Sequence, residues 1–376
     1  MGKIPFKTLF PSKKLLNRVL FHMDSDLPSR KLLPLFERLY DHNALTAKDT
    51  AYADIPNVIF LMNRVLVELK HRTKQQPIPL HKMELYLLKK AAKLGNNDAI
   101  ALLCYQILGS SQPTTQPQED IVQSQQLLKQ LVKQNHPLSF KVLADLNCHM
   151  GQFDEGKRWY KQYLKAIGPI TIKNPDIKFW GSQQKGEVLE KLGEIEFREG
   201  GDENIIACEK RFLESIRITP LKNSVKSYFY LAMLYIKYDP SKAKVLLEQC
   251  CTQGFKEAFN ELGYLEMNYF QNSRKAREWF KLGMEVMELQ SFFGYFECCV
   301  TLKDWSKTHK CLKSINKMLS NESISEANKQ SIIKFLQYHE ANIKLIQSKL
   351  EPALKSDVKE KTSDTVITET ASKWGF

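Results

Sequence analysis

The fold is decided by residues 228–315. Leu231-Ala232…Tyr235 leads to Ala243…Leu247…Gly254…Ala258, then to Leu262-Gly263-Tyr264…Ala276…Phe280…Gly283, and then to Tyr295-Phe296…Trp305…Thr308…Leu312. Ala243 and Ala276 are 33 residues apart, and Ala276 and Thr308 are 32 apart. A small residue recurring at that interval, with aromatics at fixed offsets, is what stacked helix pairs need. The small side chain lets two helices approach, and the aromatic fills the gap between layers.

The same frame extends towards the N-terminus. Leu143-Ala144…Gly151-Gln152-Phe153…Gly156…Trp159-Tyr160…Leu164-Lys165-Ala166 has the layout of a tetratricopeptide unit, with Gly156 where Ala is usual. Leu192-Gly193 followed by Phe212-Leu213 supplies a further unit. Leu87-Leu88…Ala91-Ala92…Gly95, with its counterpart Leu127-Leu128…Asn135 forty residues on, starts the series. Gly95 suits a left-handed helix end, and Asn96–Asp98 can cap the next helix. Gly254 with Ala258 favours the Sel-type variant of the repeat. The polar, proline-bearing segments Ser110–Gln118 and Gly168–Gln184 read as loops. Ser325 reads as the cap of one more helix, with Ile332, Ile333, Phe335, Leu336, Ile343 and Ile346 on its apolar face. Alternating β-branched runs bounded by turns are absent.

The expected fold is therefore all-α, an α/α helical-repeat solenoid of tetratricopeptide/Sel-like type. The expected organisation is a basic amphipathic targeting or membrane-contact segment over 1–25 and an N-terminal helical cap over 26–80. The repeat array follows over 81–353, and a disordered tail rich in Ser, Thr, Lys, Glu and Asp over 354–376.

Charge is unevenly placed. The chain of 376 residues carries 55 Lys and Arg against 42 Asp and Glu, a balance of +13. The first 23 residues hold five bases and no acid, which leaves +8 on the other 353. Within that start, Ser12 can cap a helix whose one face is Leu15, Leu16, Val19, Leu20 and Met23. Lys13, Lys14 and Arg18 are its basic residues. Such a segment suits mitochondrial import, or contact with anionic headgroups while the Leu face inserts. The alternative is a first helix that merely caps the fold. A secretory signal is not indicated, and no apolar run approaches the roughly 18–20 residues of a membrane-spanning helix.

Eight cysteines, at 104, 148, 208, 250, 251, 298, 299 and 311, are too dispersed for a disulfide framework. Neighbours on a helix point about 100° apart, so Cys250–Cys251 and Cys298–Cys299 read as packing residues rather than chelating pairs. No metal site and no cofactor are expected. Phosphate-binding glycine loops and nucleophile elbows are absent, and carboxylates such as Glu194 and Glu196 read as solvated faces. Catalytic residues are therefore not assigned, and an enzyme is not expected. The basic residues are interleaved with acids, so nucleic acid is not an expected partner either.

A helix-pair array offers a concave surface for an extended peptide. Tyrosine gives contact area at low entropic cost, and amides can meet a peptide backbone. Candidate lining residues are Tyr228, Tyr235, Asn260, Tyr264, Asn268 and Tyr295.

Phe10-Pro-Ser-Lys-Lys-Leu-Leu-Asn-Arg-Val-Leu-Phe-His-Met-Asp24 resembles the start of a fungal mitochondrial family needed for assembly of cytochrome c oxidase subunit 2. The stretches Ala91–Ile100, Gly254–Phe270, Lys275–Met287 and Phe292–Val300 are similar to the same family. The resemblance spans roughly residues 10–350; the Ser110–Gln118 loop and the tail after Lys355 are not part of it. It implies a chaperone-like peripheral protein on the matrix side of the inner membrane. Such a protein binds the C-terminal tail of subunit 2 and assists its export to the intermembrane space, together with an oxidase-specific insertase. It also implies that Phe10–Asp24 belongs to the working part, so that a transit peptide is shorter or uncleaved. Two other readings remain at this point: a basic helical-repeat RNA-binding factor in mitochondrial translation, and a generic protein-interaction scaffold.

Overall fold

The computed structural model describes residues 4–23, 25–43, 45, 55–75, 77–109, 117–168 and 175–349, with the side chains of 169–180 left aside. The segment 110–116 and the expected disordered tail over 354–376 lie outside the described residues. Every regular element among the described residues is helical. The chain divides into two compact units, Met1–Ser224 and Val225–Phe376.

The first unit contains α1 (Phe6–Leu9), α2 (Lys13–His22), α3 (Ser29–His42), α4 (Ile55–Thr73), α5 (Ile78–Lys93), α6 (Asn97–Leu108), α7 (Gln118–Lys133), α8 (Pro137–His149), α9 (Phe153–Ile167), α10 (Pro175–Glu199) and α11 (Asp202–Ile218). Helix α12 (Leu221–Tyr235) passes from one unit into the next with non-helical backbone at Ser224. The second unit continues with α13 (Pro240–Thr252), α14 (Lys256–Tyr264), a π-helical turn (Leu265–Tyr269), α15 (Ser273–Glu285), α16 (Leu289–Thr301), α17 (Trp305–Leu319) and α18 (Glu326–Tyr338). Helix α10 starts at Pro175, inside the stretch expected to loop as far as Gln184. Proline is compatible with a helix start because its missing N–H has no partner there in any case.

From α4 to α11 and from α13 to α18 each helix packs on the next, and alternate helices also meet: α2 touches α4, α6 touches α8, and α14 touches α16. This is the α/α helical-repeat architecture that the small-residue period predicted. Its local cause is visible at the helix ends. Gly95, Asn135, Gly151, Gly254, Met287 and Lys303 all have positive φ. Each closes a helix by the same pair of bonds, for example Gly254 N–H to Cys251 O at 2.9 Å and Phe255 N–H to Cys250 O at 3.2 Å. Each following helix then needs a cap. The side chains of Asp239, Asn272 and Asp304 accept from the N–H of Lys242, Lys275 and Lys307 at 3.0, 3.1 and 3.2 Å. Ala243, Ala276 and Thr308 occupy the fourth position of these helices and are fully buried. Thr308 replaces Ala without leaving a stranded hydroxyl, because its Oγ1 donates to Asp304 O at 2.7 Å.

Close approach explains the central glycines. A Cβ on Gly263 would lie 2.5 Å from the Phe280 ring, and one on Gly294 2.3 Å from the same ring, so α14 and α16 both close on one aromatic of α15. Gly156 stands where Ala is usual because a Cβ there would meet Cys148 Sγ at 2.4 Å.

The amphipathic start is part of the fold. Leu16, Val19, Leu20 and Met23 are buried in a cluster that runs without a break from Phe6 to Ala99, and α2 packs on α4. That cluster crosses the positions 25/26 and 80/81 where segment boundaries were expected. The notion that the Leu face inserts into lipid is corrected for the folded chain: the face is already covered. Full burial of a Leu or Val is worth about 1.5–3 kcal/mol, so withdrawing this face into a membrane would forfeit several such contributions. Lys13, Lys14 and Arg18 remain on the outer surface.

Candidate functional site

Helices α12, α14 and α16 open successive repeats of the second unit, and they carry all the groove residues expected from the sequence except Asn268, which is on the π-helical turn. Asn260 and Tyr264 lie one turn apart on α14. Tyr264 is half-buried, with its ring edge-on to Phe280 at 5.0 Å. Its hydroxyl donates to Glu297 Oε2 on α16 at 3.2 Å. Burial and the Glu297 carboxylate together push the phenol well above its ordinary pKa. The other Glu297 oxygen lies 3.2 Å from Nε2 of the buried His339, whose Nδ1 is 3.2 Å from Asn342 Nδ2. A polar chain Tyr264–Glu297–His339–Asn342 therefore links α14, α16 and the end of α18 with the residues just after it. Sequence reasoning missed Glu297 and His339. The available signal was the 33-residue separation of Tyr264 and Glu297, one repeat.

Asn260 is 8% exposed; its Nδ2 lies 3.3 Å from Glu261 Oε1, while Oδ1 is buried without a hydrogen-bond partner among the described residues. An unmet buried acceptor costs about 1–3 kcal/mol, so this asparagine is not there for stability. Burial raises the Glu261 carboxyl above the usual range, against the opposing hydrogen bond from Asn260.

The other expected residues separate. Tyr228 packs in the cluster around Ala232, Ala243, Leu262 and Leu265. Tyr235 carries Lys242 Nζ over its ring at 3.8 Å. Tyr295 is half-buried in the packing between α15, α16 and α17, and burial pushes its phenol up to about 12. Asn268 is exposed on the π-helical turn. The structure thus joins Tyr264 with Glu297 and His339, and leaves Asn260 one turn away on α14 with its hydrogen bond to Glu261. It places Tyr228 and Tyr235 on the adjoining α12 and assigns Tyr295 mainly to packing.

The first unit has a polar lattice that sequence reading did not find. Lys141 Nζ lies 2.8 Å from Asp145 and 3.2 Å from Glu187, and Lys191 Nζ lies 2.9 Å from Asp145 and 2.8 Å from Glu187. Tyr160 donates to Asp145 Oδ1 at 2.5 Å. Burial opposes ionisation of Asp145 and Glu187, but the two lysines outweigh it and hold both carboxyls below their ordinary range. Glu196 also departs from the solvated face expected of it. It is 2% exposed and faces Arg211 Nε at 3.6 Å, because that side of α10 is covered by α11.

The adjacent cysteines diverge as helical geometry requires. Cys298 Sγ lies 3.4 Å from Met267 Sδ, whereas Cys299 interacts with Tyr295 on the α17 side. Among the described residues no three His, Cys, Asp or Glu side chains are grouped as metal ligands would be. No described helix is long and apolar enough to cross a membrane.

Comparison with known proteins gives consistent matches. A family model described as the MSS2 N-terminal domain matches residues 3–96, nearly the limits of the Phe6–Ala99 cluster. Over 348 residues the chain is 34% identical to "Protein MSS2, mitochondrial" of Saccharomyces cerevisiae, covering 91% of this chain and 94% of that protein. Among solved structures, the type IV pilus biogenesis factor PilW aligns over 62% of this chain and 98% of its own, at 15% identity and a TM-score of 0.43. A Sel1 repeat protein from Oxalobacter formigenes aligns over 71% and 96%, at 14% identity and a TM-score of 0.42.

Proposed function

This chain belongs to the MSS2 family, and we propose that it is a mitochondrial assembly factor for cytochrome c oxidase. In this reading it works as a peripheral protein on the matrix side of the inner membrane. It holds the C-terminal tail of subunit 2 and passes it to an oxidase-specific insertase for export to the intermembrane space. The mitochondrial setting is supported by the relative's name and by the acid-free basic start. The role in subunit 2 assembly follows the family resemblance.

The observation that carries a holding role is the polar row on α14 and α16. Tyr264, Glu297 and His339 form a connected set across α14, α16 and the end of α18, and Asn260 lies one turn from Tyr264 on α14. A row of tyrosine, amide and carboxylate suits main-chain recognition of an extended peptide. Tyrosine supplies contact area, and the polar tips supply hydrogen bonds without a demand for one side-chain sequence. In this scheme the array performs no bond chemistry. It keeps the tail extended, while the membrane potential and the insertase supply the transfer.

A photocrosslinking amino acid at Tyr264, in isolated mitochondria making their own proteins, tests the reading. Capture of newly made subunit 2 or the insertase is the expected result. Crosslinks only to RNA or to unrelated matrix proteins overturn it.

A further inference from the structure

The second unit has an exposed aromatic and cationic edge that neither the groove nor the repeat packing uses. It is built from the turns that join α12 to α13, the π-helical turn to α15, and α16 to α17. Tyr238 is 81% exposed in the first turn, and Tyr269 and Phe270 are 54% and 37% exposed in the second. Lys237, Arg274 and Lys303, one at each turn, are exposed cations.

Ion pairs show that the three turns lie in one row. Lys244 at the start of α13 and Lys275 at the start of α15 both reach the buried Glu266, at 2.7 and 3.1 Å. Arg277 of α15 reaches Asp304, the cap of α17, at 3.5 Å. The acids along this row are engaged: Asp239 and Asp304 cap helices, and Glu266 is enclosed between two lysines. Lys244 Nζ lies over the Phe270 ring at 4.7 Å, so ring and ammonium occupy one level of the edge.

We infer that this edge, formed by residues 237–244, 269–275 and 303–307, is the surface by which the protein rests on an anionic lipid bilayer. Aromatic rings with a polar or cationic neighbour settle at the headgroup level, and lysines there gain from anionic lipid. The rings stand on turn tips and not in a groove, which favours shallow insertion over base stacking along a strand. The inference deepens the membrane-associated part of the proposed function and rests on it. It also supplies a membrane-facing surface to a protein whose amphipathic α2 has its apolar face in the core.

Co-sedimentation of the full chain with phosphatidylcholine vesicles, with and without phosphatidylglycerol, tests it. Wild type is expected to bind only the anionic vesicles. Tyr238→Ser/Tyr269→Ser/Phe270→Ser and Lys237→Glu/Arg274→Glu/Lys303→Glu should each weaken binding by about tenfold or more. Tyr338→Ser, an exposed aromatic outside the edge, should bind as wild type does. Circular dichroism confirms folding, and Tyr238→Trp supplies a second reading, with its fluorescence quenched by brominated lipid. The inference is overturned if wild type ignores anionic vesicles or if both edge variants bind normally. It is equally overturned if binding is lost only in Lys13→Gln/Lys14→Gln/Arg18→Gln, or if single-stranded RNA displaces the protein from vesicles through the same edge. None of these outcomes involves the subunit 2 tail, so failure of crosslinking and failure of vesicle binding are separate results.

Discussion

Tyr264 and Glu297 stand one repeat apart in sequence and 3.2 Å apart in space, hydroxyl to carboxylate. The bond ties two consecutive groove helices together, and the same carboxylate reaches on to His339. Tyr264→Phe keeps the ring against Phe280 and removes only the donor. A hydrogen bond to a charged group contributes about 1.5–3 kcal/mol at most, and Glu297 is part-exposed, so a loss of about 1–2 kcal/mol is expected. In urea titration the midpoint should fall with an unchanged slope; an unchanged midpoint would show that the bond adds nothing.

Asn260→Leu should move stability and function in opposite directions. The buried Oδ1 has no partner among the described residues, so an apolar replacement of similar size removes an unmet acceptor. Thermal stability should rise by about 1 kcal/mol, while capture of the subunit 2 tail falls. A variant that is both less stable and fully active would contradict the account of this residue.

The lattice around Asp145 makes the first unit acid-sensitive. Lys141 and Lys191 hold the Asp145 and Glu187 carboxyls below their ordinary range despite burial. A depressed folded-state pKa contributes stability that is present above the unfolded value, about 4, and is lost as pH falls through the folded value. Stability should therefore decline below about pH 4. Asp145→Asn should flatten that decline and cost about 3 kcal/mol at neutral pH by leaving two lysines undercompensated. Chemical denaturation at several pH values measures both effects.

Gly263→Ala should destabilise the second unit by about 1–3 kcal/mol, because the new Cβ would lie 2.5 Å from the Phe280 ring. Phe280→Leu creates space and should recover part of that loss when the two are combined. Strict additivity in the double-mutant cycle would mean that the two side chains do not compete for the same volume.

The buried thiols should be slow to react. Burial pushes Cys250, Cys298 and Cys311 up to about 12 and Cys299 up to about 11. The thiolate is the nucleophile, so alkylation at pH 8 should leave these four unmodified in folded protein and label them after denaturation. Mass spectrometry of the peptides reads the result directly.

Much of this architecture is legible in the linear chain because it is local. Asn96–Asp98 and Ser325 are legible as cap positions, and Asn96 and Ser325 each accept from the N–H three residues on. Gly95 was read as a left-handed helix end and has φ +89°. Ala243, Ala276 and Thr308 gave the repeat length, since a small residue every 32–33 positions is itself the contact between stacked helices. Such signals need only a residue and its neighbours within a turn.

What needed the tertiary structure concerns partners more than a repeat away, or the identity of whatever covers a face. The pattern Leu16, Val19, Leu20 and Met23 states that one side of α2 is buried, but the same pattern serves a bilayer or a protein core. Only packing on α4 showed that it is the core. Tyr264 and Tyr295 looked alike in sequence, yet the turn of the array aims one at Glu297 and packs the other beside Cys299. Nothing in the linear chain singled out the charges at 141, 145, 187 and 191, which only the packing of α8 against α10 brings together. The sequence by itself determined the helices, their ends and their repeat, because backbone hydrogen bonding and side-chain volume act within a few residues. The tertiary structure alone decided which faces meet, because the stacking angle between successive helix pairs sets the distance between residues a full repeat apart.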